Sequence, residues 1–432
     1  MNPRGKIFGN AAIYLGANIL NAGIPFLLLP ILTRALTPAD YGTVAMFGIV
    51  LSLLGAFTGL SVHGAVGVRY FQLEKKELAE YVGVCVGILV VSTSVVFMLV
   101  TIFGSWLTEV SGVPVRWLLI AAVLSGMQFI FNIRLSLLHV AGQAKQYGAF
   151  QILQSLCNAG FSLVFILVAG MAWQGRVSGQ ALAIGIFGFF SLWRLFKDDL
   201  LKMPSAWRSQ ATDALAFGVP LIPHAIGGFV VATGGQFVVT NMLGVSETGI
   251  YVVGAQFGLV LGLVADAFVK SYGPWLYEKL KEDSLANSHL VVGATYCAFL
   301  FFLGFSIIAA AIIYVVFPFI VGERFMPARV LMVFFVFGQG FVGMYYAVAG
   351  FFFFTSKTKF VSIVTIVSGV TAIPVMWAMA GVLGVTGVAF GYLISQIVAF
   401  LLAWMISNYI HPMPWLKVNL AFAALSSARL NR

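Results

Sequence analysis

The sequence predicts an all-α membrane protein with about twelve transmembrane helices, arranged as two six-helix bundles related by a pseudo-twofold axis along the membrane normal. Three observations lead there. Only 9% of the 432 residues are charged and 61% are hydrophobic, with a mean hydropathy of +1.00, whereas a soluble domain carries about 25% charged residues. Apolar runs of the ~20 residues needed to cross a bilayer recur along the whole chain. The second half also repeats features of the first. The runs are continuous and rich in Leu, Phe, Val and Gly, not alternating as barrel strands are.

Taken in order, the spans are expected at about 11–32, 43–66, 82–105, 116–138, 147–170, 178–196, 214–240, 245–268, 290–316, 328–354, 360–381 and 385–407. The first follows the basic stretch "MNPRGKIFGN" but has no small-residue cleavage site, so it is expected to remain as an uncleaved helix. Between spans one and two, Pro38 and Gly42 supply turn geometry and Asp40 can cap the second helix. The longest polar connections, 197–213 and 270–289, leave no room for a soluble domain on either face. The expected units are an N-terminal bundle over 1–196, a cytoplasmic linker over 197–213, and a C-terminal bundle with tail over 214–432. Cys85, Cys157 and Cys297 each fall in a span without a nearby partner, so neither disulfide nor metal site is expected.

Loop charges orient the chain. With the N-terminus in the cytoplasm, nineteen of the 24 Lys and Arg residues collect on that face, leaving Arg34, Arg116, Arg176, Arg324 and Arg329 outside. An even number of spans and cytoplasmic termini follow. The net charge of +10 is then a topology signal with attraction to anionic lipid, and nucleic-acid binding need not be invoked.

Sliding the chain by 207 residues aligns Thr33 with Thr240, Leu36 with Leu243, Asp40 with Glu247 and Gly42 with Gly249. The register continues through Leu54 and Leu261, Gly55 and Gly262, and Tyr70 and Tyr277. Six crossings return the chain to its starting side, so the two halves form a parallel repeat, which in transporters encloses a central cleft. The hairpin's other reading is a tight turn that only fixes helices one and two.

The first hairpin, Pro30-x-x-Thr33-Arg34-x-Leu36-x-Pro38-x-Asp40-Tyr41-Gly42, resembles the opening of the polysaccharide transporter family. That family includes the Wzx-type flippases for O-antigen and exopolysaccharide and belongs to the superfamily of the MATE exporters. "VRYFQ" from Val68, "GVPLIPHAIGG" from Gly218, "LGVSETGIY" from Leu243 and "VGERFMPARVLM" from Val321 extend the resemblance over most of the chain. Where relatives often carry an Asp-Arg pair ahead of "GIY", this chain has Gln236 and Phe237, so no role of that pair transfers. The resemblance implies a MATE-like fold in the bacterial cytoplasmic (inner) membrane. It implies alternating-access transfer of an undecaprenyl-pyrophosphate-linked oligosaccharide to the outer leaflet, with no organic cofactor. A proton or sodium gradient can drive turnover, and a polysaccharide polymerase and chain-length regulator are the partners such a flippase would serve.

Charges inside apolar spans point to cavities or partners, because each costs about 2.5–3.5 kcal/mol at mid-membrane. Asp266 and Lys270, at i and i+4, share a face and can pair; they either serve transport or only brace their helix. The repeat sets Lys270 at the depth of His63. Arg134, in "FIFNIRLSLLHV", either snorkels to the interface or forks onto pyrophosphate oxygens. Arg69 and Tyr70 close helix two on the donor side. Arg34 sits at the outer end, to receive the head group or to complement a helix C-terminus. His224 follows Pro220 and Pro223, which interrupt the backbone ladder as at transport sites; packing is its other reading. Asn18 and Asn21 share a face of helix one, for sugar hydroxyls or for neighbouring helices.

A MATE-type cation-coupled drug antiporter is the near rival, but helix one has no acidic residue. A major facilitator would show Gly-x-x-x-Asp-Arg after helix two, and an ATP-driven pump a G-x-x-x-x-G-K-[ST] segment; neither is present. A membrane polysaccharide polymerase or ligase acts on the same lipid-linked substrate, but would need a sizeable outer loop for its catalytic residues.

Overall fold

In hydrocarbon each backbone amide must find its partner inside the chain, and continuous apolar runs can do so only as helices. A computed structural model describes the backbone of residues 3–430 apart from 283 and 358. The side chains of residues 1–12, 14, 15, 22, 224, 425 and 427–432 lie outside the description, and with them the expectation for His224. The described residues form α1 (Pro3–Ala35), α2 (Pro38–Phe57), α3 (His63–Arg69), α4 (Lys75–Ser111), α5 (Val115–Val140), α6 (Ala144–Leu163) and α7 (Trp173–Lys197). They continue as α8 (Trp207–Gly218), α9 (Leu221–Leu243), α10 (Val245–Lys281), α11 (Leu285–Ile320), α12 (Ala328–Phe354), α13 (Lys359–Ile410) and α14 (Val418–Leu430). No strand occurs among the described residues.

Eleven stretches are long and apolar enough to span a membrane, against the twelve expected. The difference lies in α13, which merges two expected spans over 52 residues. It is broken at Gly384, whose φ of 60° and ψ of −143° suit glycine. A Cβ on Gly387 would meet the Met379 carbonyl, and one on Gly391 would meet Met376. The chain therefore doubles back, and 359–383 and 385–410 are antiparallel arms.

The first hairpin is capped by Thr37. Its hydroxyl accepts from the Asp40 N–H at 3.1 Å, while its own N–H donates to the Asp40 carboxylate at 3.0 Å. Pro38 opens the helix where its missing N–H costs nothing. The expectation for Gly42 needs correction: it lies buried inside α2, not in the turn. The hairpin between α9 and α10 turns at the residue in register with Thr37, Gly244, at φ 93°. The helices that follow differ. α2 breaks at Gly59, Leu60 and Ser61, with φ of 71°, 49° and 58°, whereas α10 runs unbroken through the matching positions. At the break, the Gly59 N–H donates to Ser92 Oγ at 2.8 Å, and a Cβ on Gly59 would overlap the Phe129 ring.

Contacts divide the chain into two compact units, Met1–Thr233 and Gly234–Arg432. The first is centred on Val62, Val82, Cys85, Ile133 and Leu195 from α4, α5, α7 and their neighbours. The expected linker is packed onto α4 within this unit. The Lys202 N–H donates to the Ala79 carbonyl at 3.1 Å, and the Ser205 N–H to Glu80 at 3.0 Å. Gly83 permits the approach, because a Cβ there would sit 2.0 Å from the Lys202 carbonyl oxygen. The second unit is centred on Leu276, Val291, Phe302, Phe351 and Phe352, with an aromatic cluster of Tyr296, Phe299, Phe400, Trp404 and Trp415.

Candidate functional site

In the first unit the turn after α3 and the ends of α4, α5, α6 and α7 enclose a cavity of about 600 Å³. Tyr70, Lys75, Arg134, Gln143, Gln146, Arg194 and Asp198 supply its polar lining. α5 presents Arg134 inward on the stripe that also buries Ile130, Ile133 and Leu137. Its side chain is only 8% exposed, and its guanidinium meets Asp198 at 2.9 Å. Arg194, one turn earlier on α7, reaches the same carboxylate at 3.2 Å. Asp198 caps the C-terminus of α7 and is held there by its own N–H donating to the Arg194 carbonyl. Lys75 has no carboxylate within ion-pair distance among the described residues.

Three cations thus surround the cavity against one carboxylate. A buried charge must be paired or cost several kcal/mol, and a carboxylate shared by two guanidiniums leaves donors over. A planar guanidinium binds phosphate or carboxylate through two parallel hydrogen bonds. The cavity is therefore suited to an anion with several oxygens. The buried Arg134 side chain turns into the protein toward Asp198 and does not snorkel outward.

Of the other residues singled out by their place in the sequence, Tyr70 shares this cavity while its neighbour Arg69 turns away. Arg69 is held by Asp213 of α8, with Nε 3.0 Å from Oδ2 and a second contact from Nη2. Tyr81 of α4 donates to the same Asp213 oxygen at 2.8 Å. Hydrogen bonding to Asp213 raises the Arg69 pKa above its ordinary value, so its charge persists. This triad ties α3, α4 and α8 together. His63 lies edge-on to Phe129, ring centroids 5.3 Å apart, and its buried Nδ1 has no hydrogen-bond partner among the described residues. Arg34 donates to the Pro30 carbonyl at 2.7 Å, one turn back on α1. Asn18 is exposed, and Asn21 accepts from Ser155 of α6.

In the second unit Asp266 and Lys270 pair at 2.6 Å, both more than half exposed. The i,i+4 pairing expected from sequence forms. Sequence reasoning misses Lys75, Arg194 and Asp198 as site residues. The first two read as ordinary loop charges, although the i,i+4 spacing of Arg194 and Asp198 across a helix end is visible in the sequence. Asp213 is missed too, because its partner lies 144 positions away.

The family described as polysaccharide biosynthesis protein matches residues 7–280. A protein of the Lsg locus of Haemophilus influenzae is 27% identical over 289 residues, covering 66% of this chain and 69% of that protein. An uncharacterized membrane protein of the same organism is 26% identical over 290 residues, covering 65% and 67%. Among solved structures, an inward-facing multidrug resistance MATE family transporter of the MOP superfamily matches with a TM-score of 0.65 at 16% identity, over 92% of this chain and 94% of that one. The lipid II flippase MurJ, in an inward closed conformation, also matches with a TM-score of 0.65, at 12% identity, over 97% and 91%. At such identities the likeness establishes a MATE-like fold.

Proposed function

The chain belongs to the polysaccharide biosynthesis protein family, and on that premise we propose that it is a flippase that moves a lipid-linked saccharide across the bacterial inner membrane. The substrate we assign is an oligosaccharide on undecaprenyl pyrophosphate, destined for O-antigen or exopolysaccharide. The observation that carries this reading is the Arg134 cavity: in a chain with few charges, two guanidiniums and an ammonium are gathered around one carboxylate.

The pyrophosphate end docks between Arg134 and Arg194, displacing Asp198, while Tyr70, Gln143 and Gln146 offer hydrogen bonds to the sugar next to it. Loading is cytoplasmic, because the loop charges put the ends of α5 and α7 on that face. Taking a diphosphate out of water is costly unless cations replace its hydration. Charge-assisted bonds from the arginines offset that cost while the anchor stays in lipid. Asp266 and Lys270, exposed within a span-forming helix, are candidates for a coupling or relay role in the second unit.

The test is genetic and chemical. A strain without this protein should accumulate complete lipid-linked repeat units in the cytoplasmic leaflet, inaccessible to glycosidase added to intact spheroplasts. Single units displayed outside, as in a strain without its polymerase, would overturn the assignment.

A further inference from the structure

The break between α2 and α3 falls inside an apolar run that sequence alone would leave helical. Leu60 and Ser61, neither of them glycine, stand beside Gly59 in left-handed conformation. For a residue with a Cβ that conformation costs roughly a factor of ten in population, so other contacts must hold it. α8 supplies them at three points. Asp213 grips Arg69 at the end of α3, with Oδ2 3.0 Å from Nε. One turn further along α8, the Phe217 ring seats against Gly64, where a Cβ would stand 3.1 Å from it. Gly218 covers the break itself, since a Cβ there would stand 2.2 Å from the Leu60 carbonyl oxygen. Ser92 of α4 receives the Gly59 N–H at 2.8 Å, a proton that an unbroken helix would have kept for itself. The internal repeat shows the alternative. In register with 59–61 are Asp266, Ala267 and Phe268, and there α10 runs on as one helix. The same place in the two halves takes a broken form in one and a straight form in the other.

We propose that Gly59–Ser61 is a two-state hinge, that the clasp of α8 on α3 holds it broken, and that release of the clasp lets α2 and α3 run on as one helix, as α10 does. Hinge and clasp lie wholly within the first unit. The consequence reaches the candidate site through Tyr70. That residue follows α3 directly and lines the Arg134 cavity, so a swing of α3 carries part of the cavity wall with it. An anion in the cavity favours the form in which Tyr70 completes the lining, and by reciprocity the hinge sets the affinity for that anion. The link to the cavity rests on the anion site assigned above; the hinge does not.

The experiment reads the hinge by fluorine NMR of the full-length protein in lipid nanodiscs, with trifluoromethylphenylalanine in place of Phe57, which directly precedes the break. Gly59→Ala sets a methyl against the Phe129 ring in the broken form and should move the resonance to a second position. Asp213→Asn weakens the clasp and should populate both positions. Adding Ser61→Gly to Asp213→Asn relieves one left-handed residue and should cut the second line roughly tenfold. Inorganic pyrophosphate should shrink the same line. A single cooperative unfolding transition checks that each variant folds. One unmoved line in both Gly59→Ala and Asp213→Asn, or a second line that Ser61→Gly leaves at full height, would overturn the hinge. Pyrophosphate that binds by calorimetry and leaves the ratio of the lines unchanged would overturn its link to the cavity. Failure of the parent protein to bind pyrophosphate would overturn the anion site and leave the hinge standing.

Discussion

Asp198→Asn separates the two jobs the structure gives that carboxylate. Asp198 neutralises Arg134 at 2.9 Å and Arg194 at 3.2 Å, so the amide leaves three cations around the cavity with no anion. Removing one partner of a buried ion pair costs about 3–5 kcal/mol. Asp198 keeps 26% of its exposure and Arg194 32%, so solvent screens part of the loss, and about 2–3 kcal/mol is expected. The same change removes the internal competitor for the guanidiniums, so inorganic pyrophosphate should bind more tightly than to the parent. At free ligand about 100 times Kd, binding returns about 2.7 kcal/mol, enough to restore most of the loss. The assay is thermal unfolding in detergent micelles, followed by tryptophan fluorescence, across a pyrophosphate titration, with calorimetry for Kd. The expected pattern is a lower midpoint without ligand, a larger ligand-induced rise than in the parent, and a smaller Kd. Weaker binding with no recovery would refute the reasoning, because it would make Asp198 a brace and not a stand-in for the substrate's anion.

Other outcomes follow from single observations. Tyr81→Phe removes one donor to Asp213 while the Arg69 pair stays, and should cost about 0.5–1.5 kcal/mol; Asp213→Asn should cost more, by the same unfolding assay. Gly384→Ala forces a side chain onto a φ of 60° and ψ of −143°. It should cost about 1–3 kcal/mol and show as increased protease cutting between the two arms of α13. Thr37→Ala deletes the reciprocal cap of α2, and should cost about 1 kcal/mol with no change in pyrophosphate affinity.

The membrane spans were legible because hydrocarbon demands continuous apolar helices. Even the tight reversal at Gly384 falls in the gap between the runs 360–381 and 385–407. Elements outside that demand were harder to read. α8 begins at Trp207 inside the expected linker, because it is an amphipathic helix whose Asp213 meets Arg69 and Tyr81 and whose Trp207, Ala211, Ala214 and Leu215 pack on the apolar core around α4. The break at Gly59–Ser61 carries no turn signature, since Leu60 and Ser61 are ordinary helix residues held in left-handed conformation by packing from α4, α5 and α8. Arg134 stood out as a lone charge in an apolar run. Asp198, which gives that charge its meaning, could be paired with it only once the end of α7 was seen to lie beside α5.

The flippase reading meets its most direct test in proteoliposomes loaded with a fluorescent oligosaccharide on undecaprenyl pyrophosphate, with transfer read as the fraction accessible to an external quencher over time. The parent protein should exceed protein-free liposomes. Arg134→Ala, with correct folding shown by its unfolding profile, should fall by at least about tenfold, the loss of ~1.4 kcal/mol or more of substrate interaction. A parent rate equal to that of empty liposomes, or a correctly folded Arg134→Ala protein that transfers at the parent rate, would contradict it.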